Sequence, residues 1–197
     1  MSATFEQGGH QERMPLPAME QMTPAQRDAA AQLTAGPRGG VKGPFVPLLR
    51  SPNLLEKIQH VGDYVRFGTA LDRRLNEFAV LIVSRHVTNQ FEWAVHYPVA
   101  LKAGLKLEIA SALAEGRRPE GMVDDEEVVY DFCTELLATH GVSDSTYRRT
   151  VDRFGEQLLV ELVAVVGYFA LVSWLMNVAH TPPPGDTTVP ALLNFPL

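Results

Sequence analysis

From residue 52 onward, apolar residues recur at helical spacing. In "PNLLEKIQHVGDYVRFG" (52–68) they fall at Leu54, Leu55, Ile58, Val61 and Val65, close to one face of a helix. In "LDRRLNEFAVLIVSRHV" (71–87) Leu71, Leu75, Phe78, Ala79 and Ile82 continue the pattern. Further helices are expected over 89–104, 106–116, 124–141, 143–155 and 158–179. Gly104, Gly116 and Gly141 stand where the residue just past a helix end often takes a left-handed conformation. Thr23, Asn89 and Ser143 are natural N-caps, Pro24 suits a first helical position, and Asp124 with Glu127 has the spacing of a capping box. Pro98 falls inside 89–104 and is expected to kink or interrupt that helix. Nothing alternates for long like a strand, so the fold class expected is all-α.

The ends are less regular. Residues 1–22 are expected to form a mobile N-terminal segment, 23–185 one helical domain, and 186–197 a C-terminal tail. Within the domain, a helix over 23–36 is followed by "PRGGVKGPFVPLLRSP" (37–52), which predicts a loop of the length that often lines a site. The run at 158–179 is long and apolar enough to suggest a membrane span. Glu161 interrupts it at a cost of roughly 2.5–3.5 kcal/mol in hydrocarbon, and no basic cluster follows it. It is therefore expected to be a core helix, with no membrane partner. Glu77 and His96 are nineteen residues apart, as are Glu161 and His180, with apolar residues between each pair. This echo suggests two related helical hairpins.

Charge and cysteine content narrow the functions. The net charge of −6 lacks the basic surplus of a nucleic-acid binder. Cys133 is the one cysteine, so neither an intrachain disulfide nor a two-cysteine redox cycle within one chain is available. This fits a reducing cytoplasm, as does a first stretch without the apolar core of a secretory signal.

The stretch "NQFEWAVH" (89–96) places Glu92 and His96 four residues apart among Phe91, Trp93 and Val95. Three readings compete. Glu92 can close a capping box on Asn89. It can pair with His96 on a helix surface for about 0.2–0.5 kcal/mol. Or the two can form a partly buried pair with shifted pKa values, suited to proton transfer. Metal binding would need Glu77 or His86 to complete the ligand set, and no metal is expected. Glu77 has its own bland reading as an exposed partner of Arg73 at i,i+4.

The pattern Glu77, eleven residues, Asn89, two residues, Glu92, three residues, His96 resembles the carboxymuconolactone decarboxylase family, which shares its fold with AhpD-type alkyl hydroperoxidases. The flanking "LNEFAVLIVSR" and "EWAVHYPVALKAGL" resemble it as well, and the likeness runs from about residue 43 to 185. In the peroxidase branch two cysteines stand where this chain has Asn89 and Glu92. The resemblance implies an AhpD-like helical fold, a homo-oligomer (trimer or hexamer), no cofactor, and a lyase acting on a small carboxylated lactone or related acid. His96, Glu92 and Glu77 become the expected catalytic residues, and Asn89, Trp93 and Arg85 the expected substrate-binding ones. Arg66 and Arg50 are further candidates for meeting an anionic substrate. His96→Ala is expected to lower activity far more than stability. Two alternatives stay open: an antioxidant protein related to the peroxidases but without the cysteine pair, and a non-catalytic helical oligomer that binds a small ligand. The apolar tail is expected to reach a neighbouring subunit.

Overall fold

Helix α4 (Arg73–His86) is the axis of the molecule, and every residue from 75 to 85 is buried. A helix apolar on all sides must be covered on all sides. In the computed structural model, which describes residues 11–36, 38–185 and 188–193, the cover comes from helices before and after it. The described residues form eight α-helices and no strand: α1 (Pro24–Ala35), α2 (Phe45–Leu48), α3 (Pro52–Asp63), α4, α5 (Gln90–Lys102), α6 (Leu107–Ala114), α7 (Asp124–Thr139) and α8 (Asp144–Ala179). Helices α5, α7 and α8 pack on α4. Their shared core includes Phe78, Leu81, Trp93, Phe132, Val165 and Phe169. A smaller cluster joins α1, α2 and α3 through Leu33, Phe45, Leu49 and Leu55.

Most helix ends follow the local chemistry. Thr23 and Gln26 form a capping box on α1, with the Thr23 N–H donating to Gln26 Oε1 at 2.8 Å. Ser143 caps α8, and Gly104 and Gly116 have φ of 104° and 75°. Three ends depart from the local sequence signals, and one interior proline does not end its helix. The α7 N-cap is Val123 rather than Asp124, and its N–H donates to Glu126 Oε2 at 3.0 Å. The left-handed residue closing α7 is His140 (φ 63°), not Gly141. Gly36 closes α1 in an extended conformation. Helix α5 runs through Pro98, whose ring lies on an exposed side. The loop after α1 contains the one-turn helix α2, all of whose residues are buried.

Helix α8 breaks at Gly155 (φ 82°, ψ 165°) into limbs of 144–154 and 156–179. The second limb contains the expected core helix, and half of its most apolar stretch is buried. The other half is not covered: Val160, Val163, Leu171, Trp174 and Val178 form an exposed apolar stripe. The echo between 77–96 and 161–180 does not extend to the backbone. The first stretch crosses the turn from α4 to α5, whereas the second lies within α8 apart from its capping residue, His180. Glu161 accepts hydrogen bonds from Tyr64 Oη (2.7 Å), Gln157 Nε2 (3.0 Å) and the Ala70 N–H (3.1 Å), far from His180 in role.

Both terminal segments are tied down where described. Arg13 donates its N–H to the Ala179 carbonyl at 2.8 Å, Arg50 donates to Pro15 O at 2.7 Å, and Met22 is buried. Within the segment expected to be mobile over 1–22, residues 11–22 thus make contacts with the helical domain, and residues 1–10 lie outside the described residues. The tail at 188–193 folds back on its own α5. Gln90 and Leu192 exchange two hydrogen bonds of 2.7 and 2.9 Å. Its described part makes these contacts within its own chain, while 186, 187 and 194–197 lie outside the described residues.

Gly62 in α3 lets Tyr168 of α8 approach closely, because a Cβ there would lie 2.2 Å from the Tyr168 hydroxyl. Gly62→Ala is expected to destabilise the fold by about 1–3 kcal/mol, as overpacking does, measured by denaturant unfolding. A midpoint no lower than wild type would show that this approach is not constrained.

Candidate active site

The turn 87–89 sets the start of α5. Asn89 Oδ1 accepts the Glu92 N–H at 2.8 Å, while its Nδ2 donates to Ser173 O (3.1 Å) and Asn177 Oδ1 (2.8 Å) on α8. The cap is thus half a capping box. The Glu92 side chain does not return to Asn89; its Oε2 lies 3.1 Å from His96 Nε2. One turn of helix makes that pairing possible. The other ring nitrogen, Nδ1, lies 2.5 Å from Glu77 Oε2 on α4. Glu77 Oε1 meets Arg73 at 2.9 Å.

All three members of this cluster are buried, His96 and Glu77 at 2% exposure and Glu92 at 4%. Glu77 is therefore not the exposed partner that its spacing from Arg73 suggests, and Glu92–His96 is not a surface pair. Burial by itself would lower the His96 pKa, but the hydrogen bonds to Glu77 and Glu92 and their negative charges outweigh it and raise the pKa. The ring is held at both nitrogens and meets the Phe169 ring in a T-shaped contact with centroids 5.1 Å apart.

Glu92 and His96 form part of the wall of a cavity of about 390 Å³. The loop 38–45 supplies Arg38, Lys42 and Phe45, the turn after α3 supplies Arg66 and Phe67, and α8 supplies Tyr168 and Phe169. Gly43 (φ 55°) brings the loop down on Phe91, where a Cβ would lie 2.5 Å from the ring. Burial pushes the Tyr168 hydroxyl up to about 12, so it stays protonated and available as a donor. A larger open cleft of about 600 Å³ lies between α7 and the first limb of α8. Its Asp131 and Arg149 pair at 2.9 Å and it contains no member of the buried cluster.

The three residues expected to bind substrate do not line this cavity. Asn89 is taken up by the cap and by α8. Trp93 donates its indole N–H to Pro190 O at 3.0 Å, and Arg85 donates to Leu193 O at 2.7 Å. Arg50 turns to Val46 O and Pro15 O. Of the arginines considered, Arg66 alone reaches the cavity. Arg38, Lys42 and Tyr168 were not legible as site residues, although the 37–52 loop as a whole was.

No protein-family model matches the chain, and no curated protein matches it. Solved structures do. One is an uncharacterized peroxidase-related protein with an alkylhydroperoxidase AhpD core, from Ralstonia eutropha JMP134, with a TM-score of 0.72 and 16% identity over 90% of this chain and 95% of that one. The chain has the AhpD-like fold. A protein of unknown function from Agrobacterium tumefaciens, described as a candidate antioxidant defence protein AhpD, aligns with a TM-score of 0.59 and 15% identity over 71% of this chain and 96% of that one. Within this AhpD-like fold, Asn89 and Glu92 stand at the positions that the sequence pattern gives to cysteines, and Cys133 lies in the core, fully buried, where burial pushes its thiol far up.

Because the cluster is buried, its stability role is larger than the sequence suggests. Removing one partner of a buried ion pair costs about 3–5 kcal/mol, so His96→Ala is expected to destabilise the fold substantially. The raised pKa adds a sign. The stabilisation from His96 is fully present below its unfolded value of about 6.5 and is lost as pH rises through the folded value. Nitrogen-15 NMR of the His96 ring should show a midpoint above 6.5, the ordinary value for histidine. A midpoint at or below it contradicts the clamped imidazolium.

Proposed function

We propose that this chain is a lyase of the carboxymuconolactone decarboxylase type, which decarboxylates a small carboxylated lactone or related acid by acid–base catalysis. The observation that carries this reading is the His96 imidazole clamped between Glu77 and Glu92 beside a cavity whose lining has no thiol. In such a reaction the electron pair of the C–CO₂⁻ bond passes into the conjugated carbonyl system, CO₂ leaves, and a dienolate remains. A proton delivered to carbon completes the exchange of CO₂ for H. Glu92 and His96 both face the cavity, so the proton passes from this pair to the dienolate and is replaced from solvent. Glu77 lies behind the ring, fixes its orientation and balances its charge. Pre-set donors at the point where charge develops are the largest source of such catalysis.

A second reading, an antioxidant protein without the cysteine pair, draws on the descriptions of the two fold relatives. Peroxide reduction needs a two-electron donor, such as a thiolate. Carboxylates and imidazole supply protons but no electrons, and Cys133 is shut in the core. The decarboxylase reading is therefore preferred. Glu92→Gln is expected to lower turnover of an identified acid by about 10²–10⁴-fold, the usual worth of acid–base help, with CO₂ release as the assay. Full turnover in the variant rules out Glu92, and dithiol-dependent peroxide consumption that vanishes in Cys133→Ser favours the antioxidant reading.

We also propose that the working form is a homo-oligomer. The support is the apolar stripe on α8, which runs from Val160 through Val163, Leu171 and Trp174 to Val178 at helix–helix spacing. A second copy of α8 covers such a stripe by symmetry. Light scattering is expected to give a multiple of 21.7 kDa, reduced to that mass by Trp174→Glu. A monomeric wild type at micromolar concentration contradicts this.

A further inference from the structure

The cavity carries a feature that proton transfer does not use. Arg66 reaches it from a π-helical turn, Tyr64–Gly68, inserted directly after α3. Such turns add a residue to the helix and re-aim the side chains beyond it, and they recur at functional sites. Here the late carbonyls are taken up by side chains of α4: Asn76 donates to Val65 O at 2.9 Å and Arg73 to Arg66 O at 3.2 Å. The turn is thus anchored while the Arg66 side chain is left over. Its guanidinium stacks on Phe67, with 5.0 Å from Cζ to the ring centroid. It makes no hydrogen bond or ion pair among the described residues, and its Nε is a buried donor without an acceptor. Arg38 is partly engaged, since Asp63 accepts from its Nη2 at 2.7 Å, yet its Nε is also buried and unmet. Lys42, on the same wall, has no ion-pair partner among the described residues.

Charge around the cavity does not cancel. Arg38 is balanced by Asp63, Arg73 by Glu77, and the His96 imidazolium by Glu92. Arg66 and Lys42 remain as unbalanced positive charge over an otherwise aromatic and aliphatic lining of Phe45, Phe67, Phe91 and Phe169. Buried donors that nothing in the protein meets are costly, and a guanidinium fork matches a carboxylate.

We propose that Arg66, supported by Lys42, is the carboxylate-binding and specificity-determining residue of this cavity, whose ligand is a small organic acid with one carboxylate at the Arg66 end and, on its reacting carbon beside Glu92, a second carboxylate that leaves as CO₂. The placing of the reacting carbon rests on the decarboxylase reading, whereas the carboxylate subsite does not. The carboxylate so held is one the reaction keeps. Pairing a departing carboxylate with cations would stabilise the ground state that must give up its charge.

The test is equilibrium binding of benzoate and its uncharged isostere benzamide to the full-length chain, followed by calorimetry or ligand-observed NMR. Wild type should bind benzoate at least about tenfold more tightly than benzamide, as expected for a charge-assisted fork. Arg66→Gln should remove that preference, Arg66→Lys should keep part of it, and Lys42→Gln should reduce it. Thermal unfolding of each variant identifies any that fails to fold, and the preference is then read from the remaining two. No saturable benzoate binding by wild type, equal binding of the two probes, or an undiminished preference in folded Arg66→Gln overturns the proposal. A lost Arg66 effect with intact decarboxylation defeats the subsite alone, and an intact Arg66 effect with no acid turned over defeats the catalytic reading alone.

Discussion

One imidazolium and two carboxylates, shut inside a helical core, set the terms for the rest of this molecule. An isolated buried charge is costly enough that a protein normally neutralises it or pairs it. Here each charge is paired: Nδ1 of His96 with Glu77, Nε2 with Glu92, and the far oxygen of Glu77 with Arg73. These pairings fix α4 against α5 in both rotation and register. The turn between the helices must also hold, which is why Asn89 works twice, as the cap of α5 and as a link to Ser173 and Asn177 of α8. Three helices are thereby locked around one ring. The same clamp raises the pKa of the ring and sets it against a cavity, so the arrangement that satisfies the fold is also one suited to moving a proton.

The cavity exists because backbones come unusually close around it. Gly62 gives Tyr168 and Arg38 room against α3, and Gly43 lets the loop descend on Phe91. The small core of α1, α2 and α3 anchors that loop through Phe45 and Leu49. Chemistry at one end of the cavity therefore depends on local interactions in α4 and α5, while its other wall depends on the N-terminal half of the chain.

Helix placement was largely legible in the sequence because α3 and α4 have apolar residues at helical spacing and most helices end at recognisable caps. The departures have local causes. An αL residue need not be glycine, so His140 could replace Gly141 in closing α7. Pro98 could remain inside α5 because its ring lies on an exposed side. The buried trio was legible in part from spacing, since one helical turn joins Glu92 to His96; Glu77 entered through the family resemblance, and the α4–α5 hairpin returns it to the same ring. Trp93 and Arg85 lie outside the cavity lining and meet partners from the tail, 97 and 108 residues away in the chain. No local pattern carries that information. Choosing Arg66 over Arg50 likewise required the π-turn and the far wall of the cavity, neither of which is visible in the periodicity.

The central claim is that the clamped His96–Glu92 pair delivers a solvent-derived proton to carbon. It is tested most directly by running decarboxylation of a panel of unsaturated lactone acids in D₂O and reading the product by mass spectrometry. The account predicts one deuterium at the carbon that lost CO₂, with product formation suppressed in His96→Gln. Product that forms without solvent deuterium, or that forms at the wild-type rate in His96→Gln, contradicts it.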